Sequence, residues 1–178
     1  MQDEPHALGL NPRQEFSRDV AAALADRAEI IVNDTIAAFP RERPELDAET
    51  CTRICSLIVD TMAHAIREGR ADHRWDEVRL LFRFWREETI SFDRLFELFH
   101  LTERTALDEL ALDERFGVTS EAWPRLAQLV RRTSFQALAA LTERLSLEPR
   151  ETSLTDPLTT VLTRPVFDLV LDRNVKRG

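Results

Sequence analysis

Between Cys51 and Ile66, apolar side chains recur at three- and four-residue intervals: Cys51, Ile54, Cys55, Ile58, Met62, Ala65 and Ile66. That spacing gathers them on one face of an α-helix. Asp47 stands ahead of the run as an N-cap, and Gly69 behind it as a stop. The same reading along the chain predicts five long helices. The first opens at Asn11-Pro12, with Gln14 placed for a capping box, and carries Phe16, Val20, Leu24, Ile31 and Thr35 to Phe39-Pro40. The cysteine-bearing helix is the second. Asp72 caps a third, with Trp75, Val78, Phe82 and Trp85 on one stripe. Ser91 starts a fourth, which runs to Phe116-Gly117. It is apolar over more than half its circumference, which predicts a central position. Ser120 caps a fifth that reaches Leu147.

No stretch alternates long enough to predict a strand. The four glycines and the absence of tyrosine leave little turn or strand material. The expected fold is therefore all-α: a five-helix bundle over residues 12–147. A linker at 148–155 follows, then a short helix with Phe167, Val170, Leu171 and Val175 on one side.

Charge and composition narrow the function classes. A net charge of −8 over 178 residues argues against general nucleic-acid binding, which needs cationic surface to displace phosphate counterions. It equally disfavours an anionic membrane surface. No apolar run approaches the roughly 18–20 residues of a membrane span, and the acidic "MQDEPHALGLNP" has no signal-peptide core. The expected compartment is the cytoplasm. Cys51 and Cys55, four apart on one helix face, read as small buried hydrophobes.

Eight aromatic or imidazole side chains fall within 26 residues: Trp75, Phe82, Phe84, Trp85, Phe92, Phe96, Phe99 and His100. They read first as an aromatic core. The sharper alternative is a pocket for a flat apolar ligand built from Trp85, Phe96, Phe99 and His100, or for haem with His100 as its axial ligand. His64 falls off the apolar stripe, near Asp60 and Glu68, and is expected to be solvated. Cys51, Cys55, His64 and His100 do not form a metal-ligand pattern, because His64 lies on a different face from the cysteines. No phosphate loop, nucleophile elbow or Ser/His/Asp arrangement occurs, so no catalytic residue and no resident metal or cofactor are expected.

Two stretches carry a family resemblance. "DPLTTVLTRPVFDLVLDR" resembles the opening of a GGDEF, or diguanylate cyclase, domain. Asp156, Leu158 and Thr159 match that family's D-x-L-T turn. Leu162-Thr163-Arg164 match the block after it, and Phe167 the early phenylalanine of the following helix. Thr160 stands where the family usually has glycine. The resemblance implies that residues 156–178 begin an output domain whose nucleotide-binding loop lies beyond this sequence, so the chain itself is not expected to be an enzyme. The second stretch, "EETISFDRLFELFHLTERTALDEL", resembles the haem-free, globin-like regulatory domains of the RsbR/RsbRD type.

Together the resemblances imply a bacterial signalling input domain that regulates a diguanylate-cyclase-type output through a dimeric helical lever. Asp156, Leu158 and Thr159 would form the coupling turn. The expected assembly is a homodimer with contacts from Leu138, Leu141 and Leu145, whose stripe on the fifth helix is close to heptad spacing. The input would be a small apolar ligand or a protein partner. The alternatives are a globin-coupled haem sensor using His100, or a ligand-free adaptor of the stress-response regulator type.

Overall fold

In the computed structural model, residues 11–39, 47–88 and 90–147 are described. They contain six helices: α1 (Pro12–Asp26), α2 (Ala28–Ala38), α3 (Ala48–Glu68), α4 (Asp76–Glu87), α5 (Phe92–Ala111) and α6 (Trp123–Leu147). No strand occurs among the described residues. The class is all-α, and no described helix is long and apolar enough to cross a membrane.

Local chemistry sets most of the helix ends. Asn11 accepts the Arg13 amide at 3.0 Å while the Gln14 side chain accepts the Asn11 amide at 3.2 Å, closing the capping box. The Asp47 carboxylate accepts the Thr50 amide at 2.6 Å, and this bond holds its carboxyl below the usual range. Gly69 ends α3 in the left-handed region at φ 77°, where a side chain would be strained. Ser91 accepts the Arg94 amide at the start of α5.

Besides Ser120, which accepts the Ala122 amide at 3.1 Å in the turns ahead of α6 and does not cap that helix, three boundaries differ from the pattern-based expectation. Asp72 does not cap a helix; it accepts the Arg74 amide at 2.9 Å and closes a turn ahead of α4. The α5 helix stops at Ala111, and residues 112–122 form a run of turns before α6. Gly117 lets that loop fold back on itself, because a Cβ there would meet the Ala111 and Asp113 carbonyl oxygens at 3.3 and 3.4 Å.

The third difference changes the helix number. The predicted first helix is two helices, broken at Arg27 (φ −101°, ψ 6°), and α2 starts without a side-chain cap. Nothing local forces this break, since arginine is a good helix former. The Arg27 side chain bonds the Ala23 carbonyl of its own helix at 3.5 Å and also reaches across the fold. An Arg27 guanidinium nitrogen lies 3.0 Å from Asp113 Oδ2 in the α5–α6 loop. Asp113 is only 7 % exposed and is built into that loop by Arg115, whose Nε and terminal nitrogen donate to the two carboxylate oxygens at 3.0 and 2.9 Å. The Arg115 backbone amide adds a third bond at 2.9 Å. Beside this node Phe16 meets Phe116 edge-on at 5.9 Å, and Arg125 of α6 lies over the Phe16 ring at 4.2 Å.

The centre belongs to α3 rather than to the helix starting at Ser91. Eleven α3 side chains are buried, and all five other helices pack on it. Ile54, Ile58, Met62 and Ile66 are its largest fully buried members. Three of the buried threonines spend their hydroxyls inside their own helices: Thr35 on the Ile31 carbonyl, Thr61 on Leu57 and Thr133 on Leu129.

The Asp113 carboxyl is held well below the usual range, first by the Arg115 side-chain bonds and then by the Arg115 amide and the Arg115 and Arg27 charges, against the opposing effect of burial. A depressed folded-state value stabilises the fold above the unfolded value of about 3.9 and is lost as pH falls toward the folded value. Asp113→Asn should therefore cost roughly 1–3 kcal/mol at neutral pH. The gap from the parent should close as urea titrations are taken below about pH 4. A constant gap across that range would show that the carboxylate's charge is not what matters.

Candidate functional site

The ligand-site residues expected from sequence lie around the α4–α5 corner. Trp85 is 6 % exposed and its indole N–H donates to the Ile90 carbonyl at 2.6 Å, which ties the end of α4 to the turn entering α5. Its ring meets Phe82 at 5.8 Å and Phe92 at 6.0 Å, both edge-on, and Phe92 meets Phe96 at 6.5 Å. The rings thus form a ladder from α4 to α5, packed at distances typical of edge-to-face pairs. Phe99 is buried in the core beside Leu95 and Leu98. Phe96 and His100 are half-buried. The structure therefore places Trp85 and Phe96 on one continuous aromatic path and Phe99 in the core.

Cations cover the outer edges of this region. Arg53 of α3 lies over the Phe84 ring at 4.5 Å, and Arg94 lies over Phe39 at 5.7 Å while pairing with Glu97 at 2.6 Å.

A second group of polar side chains gathers where α3 meets α4, and the sequence pattern had given no hint of it. Its origin is the reversal after Gly69, which lays the start of α4 against the last turns of α3. His64 is not solvated as expected. Its ring stacks on Trp75 at 3.9 Å with only 9° between the planes, and its Nδ1 is 3.3 Å from Glu77 Oε1. Desolvation and the Glu77 carboxylate push the nearby Asp60 carboxyl up. In the adjoining turn, His73 Nδ1 lies 3.2 Å from Glu143 of α6 and 3.7 Å from Asp72. Carboxylates lie beside both imidazoles, with no aligned hydrogen bond to His64 Nδ1, and two ingredients of nucleophilic chemistry do not converge on them. Cys51 and Cys55 are buried free thiols inside the bundle, and burial pushes Cys55 up to about 12, far from a reactive thiolate. Among the described residues no group of three or more His, Cys, Asp or Glu side chains is placed to hold a metal ion.

On α6, Leu141 has no exposed surface, and Leu138 and Leu145 pack on the core of their own chain. The exposed large apolar side chain in the middle of this helix is Phe135, at 66 %. Asp156, Leu158 and Thr159 lie outside the described residues.

No family model matches the chain, and no curated protein or solved structure matches it either.

The Trp85 bond gives a direct test of the aromatic corner. Trp85→Phe keeps an aromatic ring but leaves the buried Ile90 carbonyl without its donor. The variant should lose roughly 1–3 kcal/mol in urea unfolding followed by far-ultraviolet circular dichroism. A loss near zero would mean that the turn finds another donor and the corner is not held by this bond.

Proposed function

We propose that the chain is the input domain of a bacterial, cytoplasmic signalling protein, a globin-like bundle that acts without haem on a diguanylate-cyclase-type output. The observation that carries this reading is the D-x-L-T-like sequence motif of Asp156, Leu158 and Thr159, which comes after the longest described helix in chain order. In such a design the signal has to leave through the element that enters the output domain. Here that element is α6, which packs against α3, α4 and α5 and so receives displacements from three sides of the bundle.

The reading requires two arrangements of α6 whose balance the input shifts. It also calls for a homodimer, so that one lever is set against another. The aromatic ladder supports the haem-free form. Phe82, Trp85, Phe92 and Phe96 already contact one another, and Trp85 has its hydrogen bond inside the turn. The haem alternative draws on half-buried His100, one turn beyond Phe96. It predicts a Soret band in the purified protein that disappears in His100→Ala. A colourless protein that stays colourless after incubation with haemin removes it.

The output reading is tested by joining residues 1–178, in register through Arg164, to the catalytic half of an active diguanylate cyclase. The chimera should make cyclic dinucleotide and run as a dimer in light scattering at micromolar concentration. Asp156→Ala should lower synthesis by about tenfold while helical content is unchanged. A monomeric chimera, or synthesis indifferent to Asp156→Ala, would overturn the reading.

A further inference from the structure

We propose that α1 is a releasable strap on the bundle, hinged at Arg27 and latched by Asp113. The inference stands on the fold and does not depend on the signalling reading.

The apolar anchor of α1 is thin. Its buried side chains are Val20, Ala21, Ala23 and Leu24, only two of them larger than alanine. By contrast α3 buries eleven. α2 buries three, so neither half of the broken helix has a large apolar anchor of its own, although α1 lies along α3 more extensively than any other pair of helices packs. What α1 lacks in apolar area is supplied at its two ends by the α5–α6 loop and α6. At the start, Phe16 is clasped between the Phe116 ring and the Arg125 guanidinium. At the end, Arg27 reaches Asp113 at 3.0 Å. The negative charges of Asp19 and Asp26 on α1 also act on the Arg115 cation of the same loop.

The hinge is equally specific. Arg27 differs from helical geometry by a modest rotation, since φ −101° and ψ 6° must move only to about −63° and −42°. The Ile31 amide already bonds to the Arg27 carbonyl at 3.0 Å, in the helical i to i+4 sense. The apolar spacing from Phe16 to Thr35 is that of one unbroken helix. Local preference therefore favours a continuous helix over residues 12–38, and the docked state holds the break. Release of the latch has a defined product: α1 leaves α3 and extends α2. Asp113 suits a latch because Arg115 fixes it in its own loop from both oxygens, and Oδ2 is shared with Arg27. The bonds that hold Asp113 to Arg115 lie wholly within the α5–α6 loop.

Thiol modification tests this with an internal control. Ala21→Cys places a thiol on the buried face of α1. Native Cys55, fully buried on α3 next to Thr102 of α5, reports deeper opening. Under native conditions the α1 thiol should react at least tenfold faster than Cys55, because separate cooperative units open at separate free energies. Adding Asp113→Asn, or separately Arg27→Ala, should speed the α1 thiol by a further tenfold or so. Spin labels at exposed positions 15 and 34 should then show a population near 28 Å, the length of that span in a straight helix at about 1.5 Å per residue. Equal reaction rates at positions 21 and 55 would overturn the strap. An α1 rate indifferent to both latch variants would overturn the latch.

Discussion

Eleven side chains of one helix have to be kept from water at once, and no single neighbour can cover them. This requirement of α3 organises the molecule. Its buried residues run from Thr50 to Ile66 and include both cysteines, so they spread over more than one face. A surface helix presents one stripe and needs one partner. A helix buried this widely needs a sheath, and here α1, α2, α4, α5 and α6 all contribute to it. The break at Arg27 follows from the same demand. A straight helix over residues 12–38 would touch α3 along part of its length and then diverge from it. Bent at Arg27, both halves lie on α3, and α2 reaches α5 as well.

That bend also marks the boundary between what the sequence pattern discloses and what it does not. Asn11, Asp47, Gly69 and Ser91 end helices through groups within about four residues of themselves, so each was readable locally. Arg27 takes one partner from a carboxylate far along the chain, and no local signal discloses that partner. Asp72 shows a subtler limit. An aspartate ahead of an apolar stripe serves equally as a helix cap or as the start of an Asx turn, and the choice depends on where α4 must start to face α3. The misplaced centre has a similar cause. The α5 pattern is wide because that helix meets α2, α3 and α6 on different faces, yet its burial is shallower than that of α3.

The candidate ligand residues show how far composition carries a site argument. The cluster of aromatics was plain in the sequence, and so was its location across the α4–α5 corner. Its internal order was not, because it depends on the Trp85–Ile90 bond that folds the corner back on itself. His64 escaped for the opposite reason. It is polar on a helical wheel and solvated by that criterion, but the Gly69 turn brings Trp75 over it. Pattern reading sees one helix at a time, and the stacking partner comes from another.

The same distinction bears on α6. Heptad-like spacing offers Leu138, Leu141 and Leu145 to a partner helix, and the partners they meet belong to the same chain. Leu138 and Leu145 keep part of their surface exposed, and the outward face of the helix carries Gln128, Arg132, Phe135 and Ala139 at four- and three-residue steps. Phe135 is the one large apolar group of the four, with Arg131 and Arg132 one turn before it and Leu138 and Ala139 one turn after. A rigid helix fixed on three sides by α3, α4 and α5 moves only as those packings move. Its base adjoins the loop where Asp113 pairs with Arg27 and Phe116 meets Phe16 of α1.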